Sequence, residues 1–302
     1  MVEFKDISKK YDQVVGVERV NLKINPGELF GLIGPDGAGK TTLFRMLTTL
    51  LLADEGVILF DQKNVVEHFH FVRKNVGYMP GTFSLYQDLT IEENLNFFAT
   101  LFGTTIAENY HLIKEIYQQI EPYKNRRAGD LSGGMKQKLA LSCALIHKPL
   151  VLVLDEPTTG VDAVSRKEFW DMLKRLKDGG LTILVSTAYM DEATRCDRVA
   201  LIQKGKIMKV DTPAGIIHQY AKPLYAIRGQ KLQQLLNILR DIPHVISAQP
   251  FGESIHLAID DKKNLFQIEK ELKTVQANVI IEKITPTVED CFMDLMMNQD
   301  EQ

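Results

Sequence analysis

A glycine-rich segment near the N-terminus has the residue types and the spacing needed to bind a chain of phosphates. It reads Gly34-Pro35-Asp36-Gly37-Ala38-Gly39-Lys40-Thr41-Thr42 and fits the pattern GxxxxGK[ST]. Glycines let the backbone turn tightly and direct N–H groups at phosphate oxygens, and a following helix adds its positive end. We therefore predict that Lys40 contacts the β- and γ-phosphates and that the Thr41 hydroxyl is a ligand of Mg²⁺. The alternative is a glycine-rich turn between a strand and a helix that binds nothing.

A second group of candidate residues follows the apolar run Leu150–Leu154, where the carboxylates Asp155 and Glu156 stand in sequence. The run predicts a buried strand, and α/β sheets bind ligands at the carboxyl ends of their strands. Asp155 is predicted to hold Mg²⁺, directly or through water, and Glu156 to polarise the water that attacks the phosphate. Strands commonly end in charged residues, so this pair is informative only together with the phosphate-binding segment.

The elements around these residues are predicted to be buried strands that alternate with helices. Leu29–Ile33 predicts a strand that ends at the glycine-rich segment, and Thr42–Leu52 continues from it as a helix. Further buried strands are predicted at Leu150–Leu154 and Leu181–Val185, and a helical subdomain at about residues 82–147. This alternation favours an α/β fold with a mostly parallel sheet.

A boundary between two domains is predicted at Ala221-Lys222-Pro223, which gives domains of residues 1–221 and 222–302. The second domain has the predicted order β-α-β-β-α-β, the ferredoxin-like arrangement of a small α+β domain. A last helix is predicted to begin at Thr285-Pro286, because threonine caps helices well and proline suits the first helical position.

A third motif resembles the signature sequence of a known family. Leu131-Ser132-Gly133-Gly134-Met135 resembles the LSGGQ signature of ATP-binding cassette (ABC) ATPases, and Gly160-Val161-Asp162 is similar to the D-loop of that family. The resemblance covers about the first 220 residues and implies a P-loop NTPase cassette that uses ATP and Mg²⁺. It also implies that cassettes pair head to tail, as a homodimer or a heterodimer, with ATP between one chain's phosphate loop and the other's signature. Ser132 and the two glycines open a helix predicted to begin at Met135, and such a helix start favours an anion.

Three more positions are interpreted through this resemblance. Tyr11 stands where the family places an aromatic residue that stacks on adenine, and the alternative is an ordinary tyrosine at the end of a strand. Gly81 stands where the family has a glutamine, and Ala188 where it has a histidine. In the family the glutamine is a ligand of Mg²⁺ and senses the γ-phosphate, and the histidine holds the γ-phosphate and the attacking water. Both replacements predict slow hydrolysis and leave nucleotide binding intact.

The composition bounds the class of protein. The 302 residues are 45% hydrophobic and 25% charged, which is typical of folded domains and excludes collagen-like and disordered chains. Three distant cysteines favour reduced thiols over a disulfide framework. The first 221 residues carry 27 basic and 27 acidic side chains, so no nucleic-acid partner is predicted. The N-terminus lacks the pattern of a signal peptide, and the most apolar stretch, Leu139–Leu154, is shorter than the ~20 residues of a membrane span.

The leading hypothesis is the ATPase subunit of an ABC exporter. It would be cytoplasmic, peripheral on the inner face of the cell membrane, and would contact that membrane only through separate transmembrane permease subunits. In the family, the segment after the glutamine position receives the permease, and here that segment contains Phe83, Leu85, Tyr86 and Leu89. The C-terminal domain resembles the tail of ABC-2 type exporter ATPases, which favours export over uptake. Two alternatives stay open: a regulatory cassette that binds ATP and hydrolyses little of it, and a soluble ABC ATPase that acts on ribosomes or DNA.

Overall fold

The computed structural model of the chain describes residues 1–82, 85–275 and 278–300. The chain divides into two units, Met1–Pro213 and a second unit that starts at Ala214. This boundary lies eight residues before the predicted one, because the short helix Pro213–His218 belongs, apart from its first residue, to the second unit. There the backbone oxygen of Ile216 accepts a hydrogen bond from Cys291 Sγ at 3.7 Å. Each unit is described separately below.

A six-stranded sheet forms the centre of the first unit, in the order β10-β9-β3-β8-β7-β6. Its neighbouring strands are parallel except for β9 and β10, which confirms the predicted, mostly parallel α/β sheet. The parallel pairing brings the carboxyl ends of β3, β7 and β8 to one edge. The strands described in this unit are β1 (Val2–Tyr11), β2 (Val14–Ile24), β3 (Leu29–Ile33), β4 (Glu55–Phe60), β5 (Lys63–Asn64), β6 (Val76–Met79), β7 (Val151–Asp155), β8 (Thr182–Thr187), β9 (Arg198–Gln203) and β10 (Lys206–Asp211).

A second, antiparallel sheet has the order β2-β1-β4-β5. Its strands β1 and β2 contain Val2–Ile7 and Val20–Ile24, where alternating apolar and polar side chains predict half-buried strands. One helix, α1 (Lys40–Leu47), shares a single buried core with both sheets. Its Leu43 and Phe44 belong to the same cluster as Phe4 of β1 and Leu184 of β8. Because both sheets hold this helix, the phosphate-binding segment at its N-terminus has a rigid support.

The remaining helices of the first unit include the predicted helical subdomain. Two of them begin with a capping box, in which a threonine and the glutamate three residues later each accept a backbone N–H: Thr90 with Glu93, and Thr105 with Glu108. The helices that follow α1 in the described part of this unit are α2 (Phe69–Asn75), α3 (Ile91–Leu101), α4 (Ile106–Tyr117), α5 (Gly133–Leu145) and α6 (Ala163–Asp178).

The second unit has the predicted β-α-β-β-α-β order, and its antiparallel sheet has the order β12-β13-β11-β14. The last helix begins at Val288, not at Thr285-Pro286, because Thr287 is the cap: its Oγ1 accepts the N–H of Asp290 at 3.3 Å, and Asp290 Oδ2 accepts its N–H at 2.7 Å. The elements of this unit are α7 (Pro213–His218), β11 (Leu224–Arg228), α8 (Leu232–Asp241), β12 (Val245–Phe251), β13 (Ser254–Ile259), α9 (Leu265–Val275), β14 (Ile280–Lys283) and α10 (Val288–Asp300).

Among the residues that the structure describes, no helix has the length and apolar character that a span of the bilayer requires.

Candidate functional site

The phosphate-binding segment lies between β3 and α1, as its sequence predicts. Two of its glycines are required by close backbone approaches: a Cβ on Gly34 would lie 2.2 Å from the Ile202 oxygen, and one on Gly39 would lie 2.5 Å from the Gly16 oxygen. Gly39 also has φ +106°, a left-handed conformation that L-residues with a side chain rarely adopt. The first helical hydrogen bond of α1 runs from Leu43 N to Gly39 O, so the N–H groups before it face the loop.

Lys40 lies at the centre of this loop and is only 3% exposed. Its ammonium donates to the backbone oxygens of Gly34 and Pro35, at 2.8 and 2.9 Å. The same nitrogen lies 3.0 Å from Glu156 Oε1. The structure thus brings together the lysine and the glutamate that the sequence places in the phosphate and carboxylate motifs.

The two carboxylates are held by β8, the neighbour of β7. Asp155 is buried, and its Oδ1 accepts the hydroxyl of Ser186 at 2.6 Å. Glu156 follows with φ +48°, and its N–H donates to Ser186 Oγ at 3.0 Å. Burial, followed by the negative charge of Asp155, raises the pKa of the nearby Tyr78 to about 12, which keeps that phenol neutral. Ser186 Oγ thus positions both acids, because it donates to the Asp155 carboxylate and accepts the backbone N–H of Glu156. No motif in the sequence indicates this role.

The candidate metal ligands, Thr41 and Asp155, are oxygen donors of the kind that Mg²⁺ prefers. Within the described ranges, no three histidine, cysteine, aspartate or glutamate side chains form a metal-binding group. A magnesium ion at this edge of the sheet would therefore take most of its ligands from phosphate oxygens and water, as Mg²⁺ does in nucleotide sites. The donor set fits an ion that arrives with a nucleotide.

Tyr11 lies at the end of β1, next to the phosphate-binding segment. Its side chain is 43% exposed, and its hydroxyl lies 3.4 Å from Thr42 Oγ1. The ring packs closely on Gly16, where an added Cβ would lie 2.8 Å from Tyr11 Cε2. An accessible aromatic face thus lies beside the loop, where a base attached to bound phosphates could stack.

The two positions that depart from the family pattern both lie at the site. A Cβ on Gly81 would lie 3.2 Å from the backbone oxygen of Asp155 and 4.0 Å from Glu156 Cβ, so position 81 lies against the backbone that carries the two acids. Ala188 follows Thr187, whose oxygen accepts the N–H of Gly34 at 3.2 Å. Neither residue has a polar side chain at this edge of the sheet.

The signature segment opens α5, which begins at Gly133, two residues earlier than predicted. The earlier start follows from the cap, since Ser132 Oγ accepts the N–H of Met135 at 3.4 Å. A Cβ on Gly134 would lie 3.1 Å from Ser165 Oγ, and Gln137 Nε2 donates to the Pro157 oxygen. Leu131 is buried. These contacts join the signature helix to the segment that follows Glu156 in the same chain.

A phosphate loop after the parallel strand β3, with a buried lysine paired to a glutamate that follows β7 on the other side of β8, defines a P-loop nucleotide-binding protein. Residues 17–159 match a family model described as ABC transporter. Nod factor export ATP-binding protein I of Burkholderia thailandensis is 36% identical over 264 residues, which are 86% of each chain. The chain belongs to the ABC transporter family.

Other relatives agree with this assignment. The probable multidrug ABC transporter ATP-binding protein YbhF of Escherichia coli (strain K12) is 38% identical over 287 residues, 93% of this chain and 49% of that protein. The chain thus spans about half the length of this relative. The solved structure of an ATP-binding subunit of an ABC transporter is 28% identical, with a TM-score of 0.66 over 73% of this chain and 93% of that one. A dimeric ATP-binding cassette bound to ADP and Pi, 24% identical, has the same fold, with a TM-score of 0.64 over 70% of this chain and 98% of that one.

Proposed function

We propose that this chain is the ATP-binding subunit of an ABC exporter, which binds Mg-ATP and hydrolyses it slowly. The observation that carries this proposal is the buried ammonium of Lys40, 3.0 Å from Glu156 Oε1 inside the phosphate-binding loop. A buried ammonium in the first turn of a helix is suited to an anion with several negative charges, because the helix N-terminus adds its own positive end. The names of the relatives, multidrug transport and Nod factor export, favour export as the process that is powered.

Nucleotide binding would use the loop as it stands. The phosphates would take the place of the Glu156 carboxylate beside Lys40, and the backbone N–H groups of residues 39–42 would donate to the phosphate oxygens. Thr41 and Asp155 would hold a magnesium ion, which when bound neutralises phosphate charge. Once released from Lys40, Glu156 would accept the proton of the attacking water.

Hydrolysis would be slow for the chain alone. Phosphoryl transfer depends on positioning and on charge stabilisation, and Gly81 and Ala188 supply no polar side chain for either. A regulatory cassette with little hydrolysis is the second candidate, and the observation that favours it is the alanine at position 188 beside Gly34. The two candidates differ in whether turnover rises beside a partner cassette that has the full set of residues.

We also propose that two cassettes pair, as a homodimer or a heterodimer, with the signature segment of one chain at the phosphate loop of the other. Ser132, Gly133 and Gly134 would then contact a phosphate bound to the partner. The parts that bind ATP all lie in the first unit, and the second unit would serve another purpose. The first unit carries equal numbers of basic and acidic side chains and so lacks the excess of positive charge that is typical of nucleic-acid-binding domains.

A permease is the proposed membrane partner, and it would hold this subunit on the inner face of the cell membrane. Of the predicted contact residues, Leu85 is buried and Phe83 lies outside the described residues. Tyr86 is 49% exposed and packs edge-on against Phe97, with ring centroids 4.7 Å apart. Asn94 fixes this segment, since its side chain accepts the N–H of Tyr86 at 2.9 Å and donates to its oxygen at 3.0 Å. Tyr86 and Phe97 thus present an ordered aromatic surface.

This surface gives the test of the transporter assignment. A photo-crosslinking amino acid at Tyr86, in cells that express the chain, should capture an integral membrane subunit, because exposed aromatic pairs are typical of binding surfaces. The same amino acid at Phe266, which is 78% exposed on α9, serves as the control and should not capture that subunit. Crosslinks from Tyr86 only to ribosomal or DNA-bound proteins would contradict the transporter assignment and support the soluble ABC ATPase.

Replacement of Tyr11 by alanine should weaken ATP binding by about 1–3 kcal/mol, the typical loss when stacking on a base is removed. Titration with a fluorescent ATP analogue measures this change. The hydroxyl contact with Thr42 is weak at 3.4 Å, so Tyr11→Phe should bind nearly as well as the native chain. Equal losses in the alanine and phenylalanine variants would show that the ring does not stack on the base.

A further inference from the structure

One buried glutamate, Glu192, has no role in the proposed nucleotide site. Glu192 belongs to the short 3₁₀ segment Met190–Arg195 after β8, and its side chain is 3% exposed. Its Oε2 accepts two hydroxyl hydrogens, from Thr187 Oγ1 at 2.6 Å and from Thr158 Oγ1 at 3.1 Å. Burial of a carboxylate is unfavourable unless its partners are well placed, so this arrangement needs an explanation.

The two threonines belong to the two segments that meet at the γ-phosphate side of the proposed site. Thr158 follows Glu156 by two residues, and Thr187 immediately precedes Ala188. Thr187 Oγ1 also accepts the N–H of Tyr189 at 3.0 Å, so its own hydrogen is directed at Glu192. A single carboxylate oxygen therefore fixes the turn that carries the proposed catalytic base relative to the end of β8.

The second oxygen of the same carboxylate faces the helix that follows the D-loop. Glu192 Oε1 is buried, has no hydrogen-bond partner within the described residues, and lies 3.8 Å from Arg166 Nε. Arg166 lies in the first turn of α6, where its N–H donates to the oxygen of Asp162 at 2.9 Å. Its guanidinium also pairs with Asp191 at 3.2 Å and covers the ring of Tyr189. Glu192 thus contacts three segments, at residues 158, 166 and 187.

We propose that Glu192 is a positioning residue for hydrolysis, which holds the Glu156 turn, the D-loop helix and the end of β8 in one arrangement. This proposal rests on the proposed function, since it assigns Glu156 as the base. Because Ala188 cannot position the attacking water, alignment of the reacting groups depends on the backbone segments that Glu192 joins. Within the described part of the chain, the side-chain hydrogen bonds and ion pair of Glu192 reach Thr158, Thr187 and Arg166 and not the phosphate-binding segment, so we expect Mg-ATP binding to change little when Glu192 is replaced.

Glu192→Gln is the first test, because it keeps the size of the side chain and places an N–H donor opposite either a threonine hydroxyl or Arg166. Steady-state ATP turnover should fall by about 10- to 100-fold, the range that follows from misplaced reacting groups. The Kd for Mg-ATP should stay within about twofold of the native value. Glu115→Gln, which removes an exposed carboxylate 3.0 Å from Arg175, is the matched control and should change neither quantity.

Variants of Thr158 separate positioning from folding. Thr158→Ser keeps the hydroxyl and should retain turnover close to that of the native chain, whereas Thr158→Val keeps the shape and should lose turnover as Glu192→Gln does. Combining Thr158→Val with Glu192→Gln should cause little further loss, because both act on one contact. Native turnover in Glu192→Gln, or equal losses in the serine and valine variants, would overturn the proposal.

Hydrogen–deuterium exchange of the Mg-ATP-bound chain gives a measurement that does not require hydrolysis. In Glu192→Gln, exchange should rise in peptides that contain residues 156–162 and 187–190, with little change in β3 and α1. If the native chain binds ATP and shows no turnover, the proposed hydrolysis fails, and this exchange pattern alone decides the positioning role. Unchanged exchange in both segments, or a uniform rise across the sheet, would overturn it.

Discussion

Replacement of Lys40 by alanine is expected to weaken Mg-ATP binding at least about a hundredfold. The ammonium is buried at the centre of the loop, and in the native chain it is positioned by the oxygens of Gly34 and Pro35. A hydrogen bond to a charged group contributes about 1.5–3 kcal/mol, and two such bonds, one to each of two phosphates, are lost. Since about 1.4 kcal/mol corresponds to a factor of ten, the expected loss is two orders of magnitude or more.

Equilibrium titration of a fluorescent ATP analogue measures this loss, with thermal unfolding as a check that the variant is folded. Lys124→Ala is the matched control, because Lys124 forms an exposed ion pair with Glu92 at 3.0 Å, away from the loop. That variant should bind ATP as the native chain does. A folded Lys40→Ala chain whose Kd lies within about threefold of the native value would show that Lys40 does not face the phosphates.

The second large effect concerns the rate of hydrolysis. Restoring a histidine at position 188 should raise turnover of the isolated chain by about 10²–10³, the effect typical of one preorganised polar contact to a transition state. Position 188 follows Thr187, whose backbone oxygen accepts a hydrogen bond from the N–H of Gly34. An imidazole at position 188 would therefore lie beside the phosphate-binding segment. Binding of Mg-ATP should change little, because the loop, Lys40 and Thr41 are untouched.

The phosphate loop and its flanking elements could be predicted from the sequence because the signals are local. An apolar run, a glycine-rich pattern and a helix follow one another within residues 29–52. The proximity of Lys40 and Glu156 is also expected from the sequence, since parallel strands place their carboxyl ends at one edge of a sheet. Their ion pair at 3.0 Å joins residues far apart in the chain, and only the folded structure reveals it.

Other features could not be predicted because the sequence pattern is interrupted or ambiguous. The alternation of apolar and polar side chains predicts only part of β1 and β2, because their pairing has register shifts after Phe4, Ile7 and Lys9 that interrupt the pattern. Glu192 lies in the polar sequence Met190-Asp191-Glu192, which looks like an exposed surface, and only tertiary packing buries its carboxylate. The division between the two units falls at the start of the short helix Pro213–His218, whereas the sequence signal Ala221-Lys222-Pro223 lies after that helix.

We propose that this chain is an ATPase in which Glu156 is the base and Ala188 limits the rate of hydrolysis. Steady-state phosphate release at saturating Mg-ATP tests it most directly, with the native chain, Ala188→His and Glu156→Gln compared side by side. We expect slow release by the native chain, an increase of about 10²–10³ in Ala188→His, and a fall of about 10²–10⁴ in Glu156→Gln, the range for loss of a general base. Fast release by the native chain that neither substitution changes would contradict it.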